Sequence, residues 1–111
     1  MNDFSILPRK MIKIKNLSRF NEQINALFSS ICKIVCDRYD DVYEDVREHR
    51  VVFGKKTPLR WFLDALPMNE GVMLSIRSPQ KHPSGIVKII IHDMNDLEGM
   101  LPSIDAAYQS V

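Results

Sequence analysis

Apolar side chains recur every three or four residues between Phe20 and Val35, then every second residue in runs between Val51 and Ile91. The first spacing matches a helix and the second a half-buried strand. Phe20, Ile24, Leu27, Phe28, Ile31, Ile34 and Val35 form one stripe, which predicts a helix from Ser18 to Arg38. Asn21, Glu22, Asn25, Ser29, Ser30, Lys33 and Asp37 fill its other side. Asn16 or Ser18 is placed to cap its start, by accepting a bond from a free first-turn amide.

The period-two region predicts four strands, Val51–Phe53, Leu59–Leu66, Val72–Ser78 and Ile86–His92. The sheet gains a fifth strand if the first begins earlier, near Val42 or Val46, although Glu44 and Glu48 then share their face. Gly54 and Pro58, then Pro67, Asn69 and Gly71, then Pro79, Pro83 and Gly85 punctuate the connections, as in an antiparallel meander. A second helix is predicted from Asp96 to Gln109, with Asn95 and Glu98 as a capping box and Leu97, Met100, Leu101, Ile104 and Tyr108 inward. Gly99 and Pro102 oppose a regular helix, which predicts a kink or two short segments there. Met1 to Pro8 reads as a loose start, and Met11 to Lys15 as a short edge strand guarded by lysines. The predicted fold class is α+β: one domain over residues 1–111, with both helices packed on one face of an antiparallel sheet.

Strict alternation then sorts the strands. Trp61, Leu63, Ala65, Val72, Leu74, Ile76, Val87, Ile89 and Ile91 are expected to face the helices. Arg60, Phe62, Asp64, Met73, Ser75, Arg77, Lys88, Ile90 and His92 are expected on the open face. Arg60, Phe62, Met73, Arg77, Lys88 and Ile90 combine an apolar centre with cations, which makes them the candidate partner-binding residues. Three kinds of cover suit such a face: the N-terminal segment or a second copy, another protein, or a single-stranded nucleic acid. The last has Phe62 stacking a base and Arg9, Lys10, Lys13, Lys15 and Arg19 meeting phosphates.

Composition narrows this picture. The 111 residues are 45% apolar and 26% charged, ordinary values for a globular chain. Net charge is only +1, so no global field marks a polyanionic partner. The charge is nonetheless bipolar: Arg9 to Arg19 carries only cations, whereas Asp37 to Glu48 is mainly acidic. No apolar run reaches membrane-spanning length, and Arg9, Lys10, Lys13 and Lys15 interrupt any stretch that would serve as a secretory leader. Cys32 and Cys36, one helical turn apart, suit reduced thiols better than a disulfide, and a cytoplasmic location is expected.

The chemistry-bearing motifs fall short. Gly54-Lys55-Lys56-Thr57 lacks the upstream glycine of a phosphate loop, where His49 stands, and a strand follows it. Asp93, Asn95, Asp96 and Glu98 put Leu97 at a calcium-ligand position, so helix capping is the better account. His49, His82 and His92 have no partner at metal spacing. His92 beside Asp93 is an acid–base candidate without a visible nucleophile. Neither a cofactor nor catalysis is expected.

Val51-Val52-Phe53-Gly54-Lys55-Lys56, the strand Gly71-Val72-Met73-Leu74-Ser75-Ile76 and the ending from Asp96-Leu97-Glu98 to Ala107-Tyr108 carry a family resemblance. From Val51 onward the chain resembles small bacterial domains of unknown function, the MmcQ/YjbR-like domains and domain of unknown function 5655. The resemblance implies helices against one face of an antiparallel sheet and transfers no catalytic or binding residue. Some of those relatives look like accessory pieces of nuclease or regulatory proteins, which implies a binding role. The expected function is a non-enzymatic protein-binding or regulatory module that uses the open face, with self-association included. A nucleic-acid-binding accessory protein is the alternative.

Overall fold

The computed structural model describes residues 20–56, 60–78 and 85–111. The order is α1 (Glu22–Arg38), β1 (Val42–Val46), β2 (Val51–Lys55), β3 (Arg60–Pro67), β4 (Val72–Arg77), β5 (Ile86–Ile91) and α2 (Met94–Ser110). The five strands form one antiparallel meander in sequence order, and the protein is an α+β fold. The fifth strand is β1, inside the acidic stretch. Val42 and Val46 pack toward the core from the side that Glu44 shares, while Tyr43 and Asp45 alternate to the other side. The predicted edge strand Met11–Lys15 and the caps Asn16 and Ser18 lie outside the described residues.

Both helices begin at caps other than the expected ones. Asn21 Oδ1 accepts from the Ile24 amide at 2.8 Å, so α1 starts there and not at Ser18. Asp93 Oδ1 accepts from the Asp96 amide at 2.9 Å, which sets α2 two residues earlier than expected. Asp96 in turn accepts from the His92 amide at 2.8 Å, so the two carboxylates satisfy first-turn and preceding amides together. No break occurs at Gly99 or Pro102, and α2 runs through both. Glu98 and Pro102 are exposed, so the carbonyl that loses its amide partner faces water.

The core lies between the helices and one sheet face. Ile24, Leu27, Phe28, Ile31 and Val35 of α1 and Leu97, Ile104 and Ala107 of α2 meet Val51, Phe53, Leu63, Ala65, Val72, Leu74, Ile76 and Ile91. Helix α1 lies over β1, β3 and β4, and α2 over β3 and β4, which leaves β5 at the margin of the helical layer. Among the described residues no helix is long and apolar enough to cross a membrane. Cys32 is buried and Cys36 half-buried.

A polar clamp ties the end of α1 to α2. Arg38 grips Asp105 through two nitrogens, each 2.7 Å from a carboxylate oxygen, and the Tyr39 hydroxyl donates to Asp105 at 2.5 Å. The guanidinium bond is the main reason the Asp105 carboxyl falls to about 2; burial opposes the shift and the Tyr39 hydroxyl adds to it. Burial, followed by the Asp105 bond, pushes the Tyr39 phenol above its ordinary range.

Two stability predictions follow from these contacts. A depressed carboxyl pKa stabilises the fold above the unfolded value and loses that contribution as pH falls through the folded value. Urea unfolding should therefore show a loss between about pH 4 and about pH 2 that Asp105→Asn flattens, modest because the pair is partly exposed. Gly99 lies on the exposed side of α2, and a Cβ there meets nothing within 4 Å. Gly99→Ala should raise stability by about 0.5–1 kcal/mol through helix propensity, read as a higher urea midpoint.

Candidate functional site

In an antiparallel pair, residues directly opposite one another point to the same side of the sheet. The β2–β3 register breaks between Phe53 and Gly54: Phe53 opposes Leu63, whereas Gly54 opposes Trp61. Phe62 is the extra residue of a β-bulge. Phe62 and Leu63, adjacent in sequence, consequently both face the helices, and both are 0% exposed. Phe62 meets Tyr39 edge-on at 5.6 Å and Tyr108 edge-on at 5.3 Å. Trp61 is carried to the opposite side, where the Arg77 guanidinium sits 4.8 Å from its ring centre. Gly54 permits this, because a Cβ there would lie 2.7 Å from the Arg60 carbonyl oxygen.

The bulge corrects the expectation from strict alternation. Phe62 belongs to the core and not to the open face, and Trp61 belongs to the open face and not to the core. Arg60 opposes Lys55, whose Nζ donates to the Val111 carbonyl at 2.9 Å and lies 4.5 Å from the Tyr108 ring centre. That register puts Arg60 on the helix side, away from the candidate set. Met73, Arg77, Lys88 and Ile90 do share the open face: Met73 opposes Ile90, Ser75 opposes Lys88, and Arg77 opposes Ile86. The signal for the bulge was present in the sequence, since a glycine inside a strand pattern marks a bulge or a close backbone approach.

The expected open-face set also omitted Leu66, Val52, Ile86 and Tyr43. Leu66 opposes Met73. Val52, between Asp45 and Asp64, is 8% exposed yet stands apart from the helix-side core. Tyr43, Gly54 and Trp61 lie in one cross-strand row, so no side chain separates the two aromatic positions. The result is an apolar centre of Trp61, Leu66, Met73 and Ile90 with charge at its margins. Asp64, whose side chain is 14% exposed, takes Arg50 Nη1 at 3.0 Å, and Asp45 takes Arg47 Nε at 2.9 Å. Among the described residues no ion pair involves Arg77 or Lys88. The basic residues Arg9, Lys10, Lys13, Lys15 and Arg19 lie outside the described residues.

Elsewhere the polar groups have structural work. His92 Nδ1 lies 3.4 Å from Asp96 Oδ2, within the start of α2, and its side chain is well exposed. Asp37 pairs with Lys33 at 3.0 Å on the surface of α1. Among the described residues no group of three or more His, Cys, Asp or Glu side chains is placed to hold a metal ion.

Fold and face together define an α+β protein whose sheet, among the described residues, is covered by helices on one side only. Comparison of the chain with protein-family models, with curated proteins and with solved structures finds no match in any of the three.

The bulge makes a prediction opposite to that of simple alternation. Phe62→Ala should cost about 3–5 kcal/mol of unfolding free energy. Trp61→Ala should cost no more than about 1–2 kcal/mol, because its ring leaves no core cavity. Equal or reversed losses in urea denaturation would contradict the bulge.

Proposed function

We propose that the chain is a non-enzymatic binding module that docks another protein on the open face of its sheet. The carrying observation is Trp61 beneath the Arg77 guanidinium, on the same face as Met73, Leu66 and Ile90. Tryptophan, methionine and arginine are enriched at protein interfaces, and tryptophan and arginine supply a large share of the residues that dominate binding energy. The acids Asp45 and Asp64 on the same face suit a partner of mixed charge better than a polyphosphate. Reduced thiols at Cys32 and Cys36 fit a cytoplasmic setting.

A second reading has one observation in its favour. Tyr43 and Trp61 share a row with only Gly54 between them, which offers two stacking positions to a single-stranded nucleic acid. Arg77 and Lys88, together with Arg9, Lys10, Lys13, Lys15 and Arg19, would then meet phosphates.

A tagged pull-down of the full chain, with and without nuclease and paralleled by Trp61→Ala, separates the readings. Under the protein reading a defined partner survives nuclease and binds Trp61→Ala on the order of tenfold or more weakly, with little salt dependence. Capture abolished by nuclease and falling steeply with salt would replace it with the nucleic-acid reading. A partner indifferent to Trp61→Ala would remove the open face from either.

A further inference from the structure

The strands at the two edges of the sheet differ sharply in how they are protected. Strand β1, Val42–Val46, carries Glu44 and Asp45 along its short length, a usual defence against edge-to-edge pairing. Strand β5, Ile86–Ile91, has Lys88 as its single charge among five β-branched apolar residues. It lies at the margin of the helical layer, with Ile91 in the core and Ile89 exposed, and its outer backbone edge meets no other described strand. Among the described residues the large apolar side chains that are exposed are Ile89, at 37%, and Met94, at 38%. One is in the middle of β5 and the other lies three residues past its end. On the helix side, Val87 of β5 also opens into a groove of about 290 Å³, lined in addition by Ile76, Met100 and Pro102.

We propose that β5 is the docking edge for a second copy of this chain, which pairs antiparallel to it about a two-fold axis and makes one continuous sheet. The β5 sequence supports itself as a partner in one register better than in its neighbours. With Ile89 opposite Ile89, Val87 meets Ile91 and Lys88 meets Ile90, so no like charges stand opposite one another. A shift of one residue per copy toward the N-terminus puts Lys88 directly against Lys88, which is destabilising. The equivalent shift the other way sets Lys88 against His92 and Val87 against Asp93, where α2 begins. The chosen register keeps Val87, Ile89 and Ile91 of both copies on the helix side, so the exposed Ile89 side chains cover each other.

The β1 edge fits β5 less well. Pairing β1 of one copy with β5 of the next would put Glu44, which shares the helix side, beside Val87 or Ile89. It would also build an open chain that ends in an unpaired β5, whereas β5 on β5 closes after two copies. The interface is distinct from the open face, so its success or failure does not depend on the partner proposed there.

The test is the mass of the full chain in solution across a concentration series, by light scattering or sedimentation. A rise toward twice the 12.9 kDa chain mass is expected, with Ile89→Lys holding the chain at one copy and leaving its circular dichroism unchanged. A second variant guards against misfolding of the first. Opposed Cβ atoms lie about 4.5–5.5 Å apart, so Ile89→Cys should yield a covalent dimer on mild oxidation. Val87→Cys, which faces Ile91, should not, and the unmodified chain controls for Cys36. A single-copy mass at every concentration would overturn the proposal. So would a dimer that persists in Ile89→Lys and fails to cross-link through Ile89→Cys, or one that disperses only with Trp61→Ala.

Discussion

Both helices meet the sheet around the ring of Phe62. That ring stands edge-on to Tyr39, just past the end of α1, and to Tyr108, near the end of α2. The two tyrosines stack on each other at 4.2 Å. Edge-to-face and offset contacts of this kind add to the area term, and they are directional, so they fix where the helix ends sit. The Arg38–Asp105–Tyr39 clamp then closes the rim of the same cluster with charge-assisted bonds. The helical layer is held at this corner by aromatics inside and by a carboxylate outside.

Phe62 reaches that position only because β3 carries one residue more than β2 at this point. The bulge turns two successive side chains inward and so reverses the alternation before it. Core formation and the composition of the opposite face are therefore one event. Burying Phe62 against the tyrosines puts Trp61 on the open side, where Arg77 covers it. Gly54 is the local condition for both, since the bulged strand passes where its Cβ would be. A change at Gly54 or Phe62 consequently acts on the core and on the candidate interface at once.

The open face and the β5 edge are surfaces of different kinds. The open face is a surface of side chains, with an apolar centre and charged margins, and it suits recognition through residues such as Trp61 and Met73. The β5 edge is a surface of backbone donors and acceptors beside Ile89, and it suits recognition through strand pairing. One concerns a face and the other an edge, so a single copy can use both together. The acids on β1 leave that opposite edge the less inviting of the two.

The amino-acid pattern by itself determined the class of fold. A helical stripe from Phe20 to Val35, alternating runs separated by Gly and Pro, and a second stripe from Leu97 to Tyr108 have few ways to bury their apolar sides other than two helices on an antiparallel sheet. It also determined most of the core, because Leu63, Ala65, Leu74 and Ile76 follow from period two wherever the strand is regular. Caps were less legible: Asn21 and Asp93 compete with equally good neighbours, and the choice depends on where packing lets each helix begin. Strand β1 was partly hidden because it lies in an acidic stretch and its inward residues include Glu44. Only the tertiary structure decided that Trp61 occupies the open face and Phe62 the core, while Met73, Arg77, Lys88 and Ile90 followed from alternation. A one-residue bulge changes no local propensity, yet it inverts every facing assignment on one side of it. What selects it is the packing of Phe62 against the stacked Tyr39 and Tyr108, residues that lie far from Phe62 in sequence and meet it only in the fold.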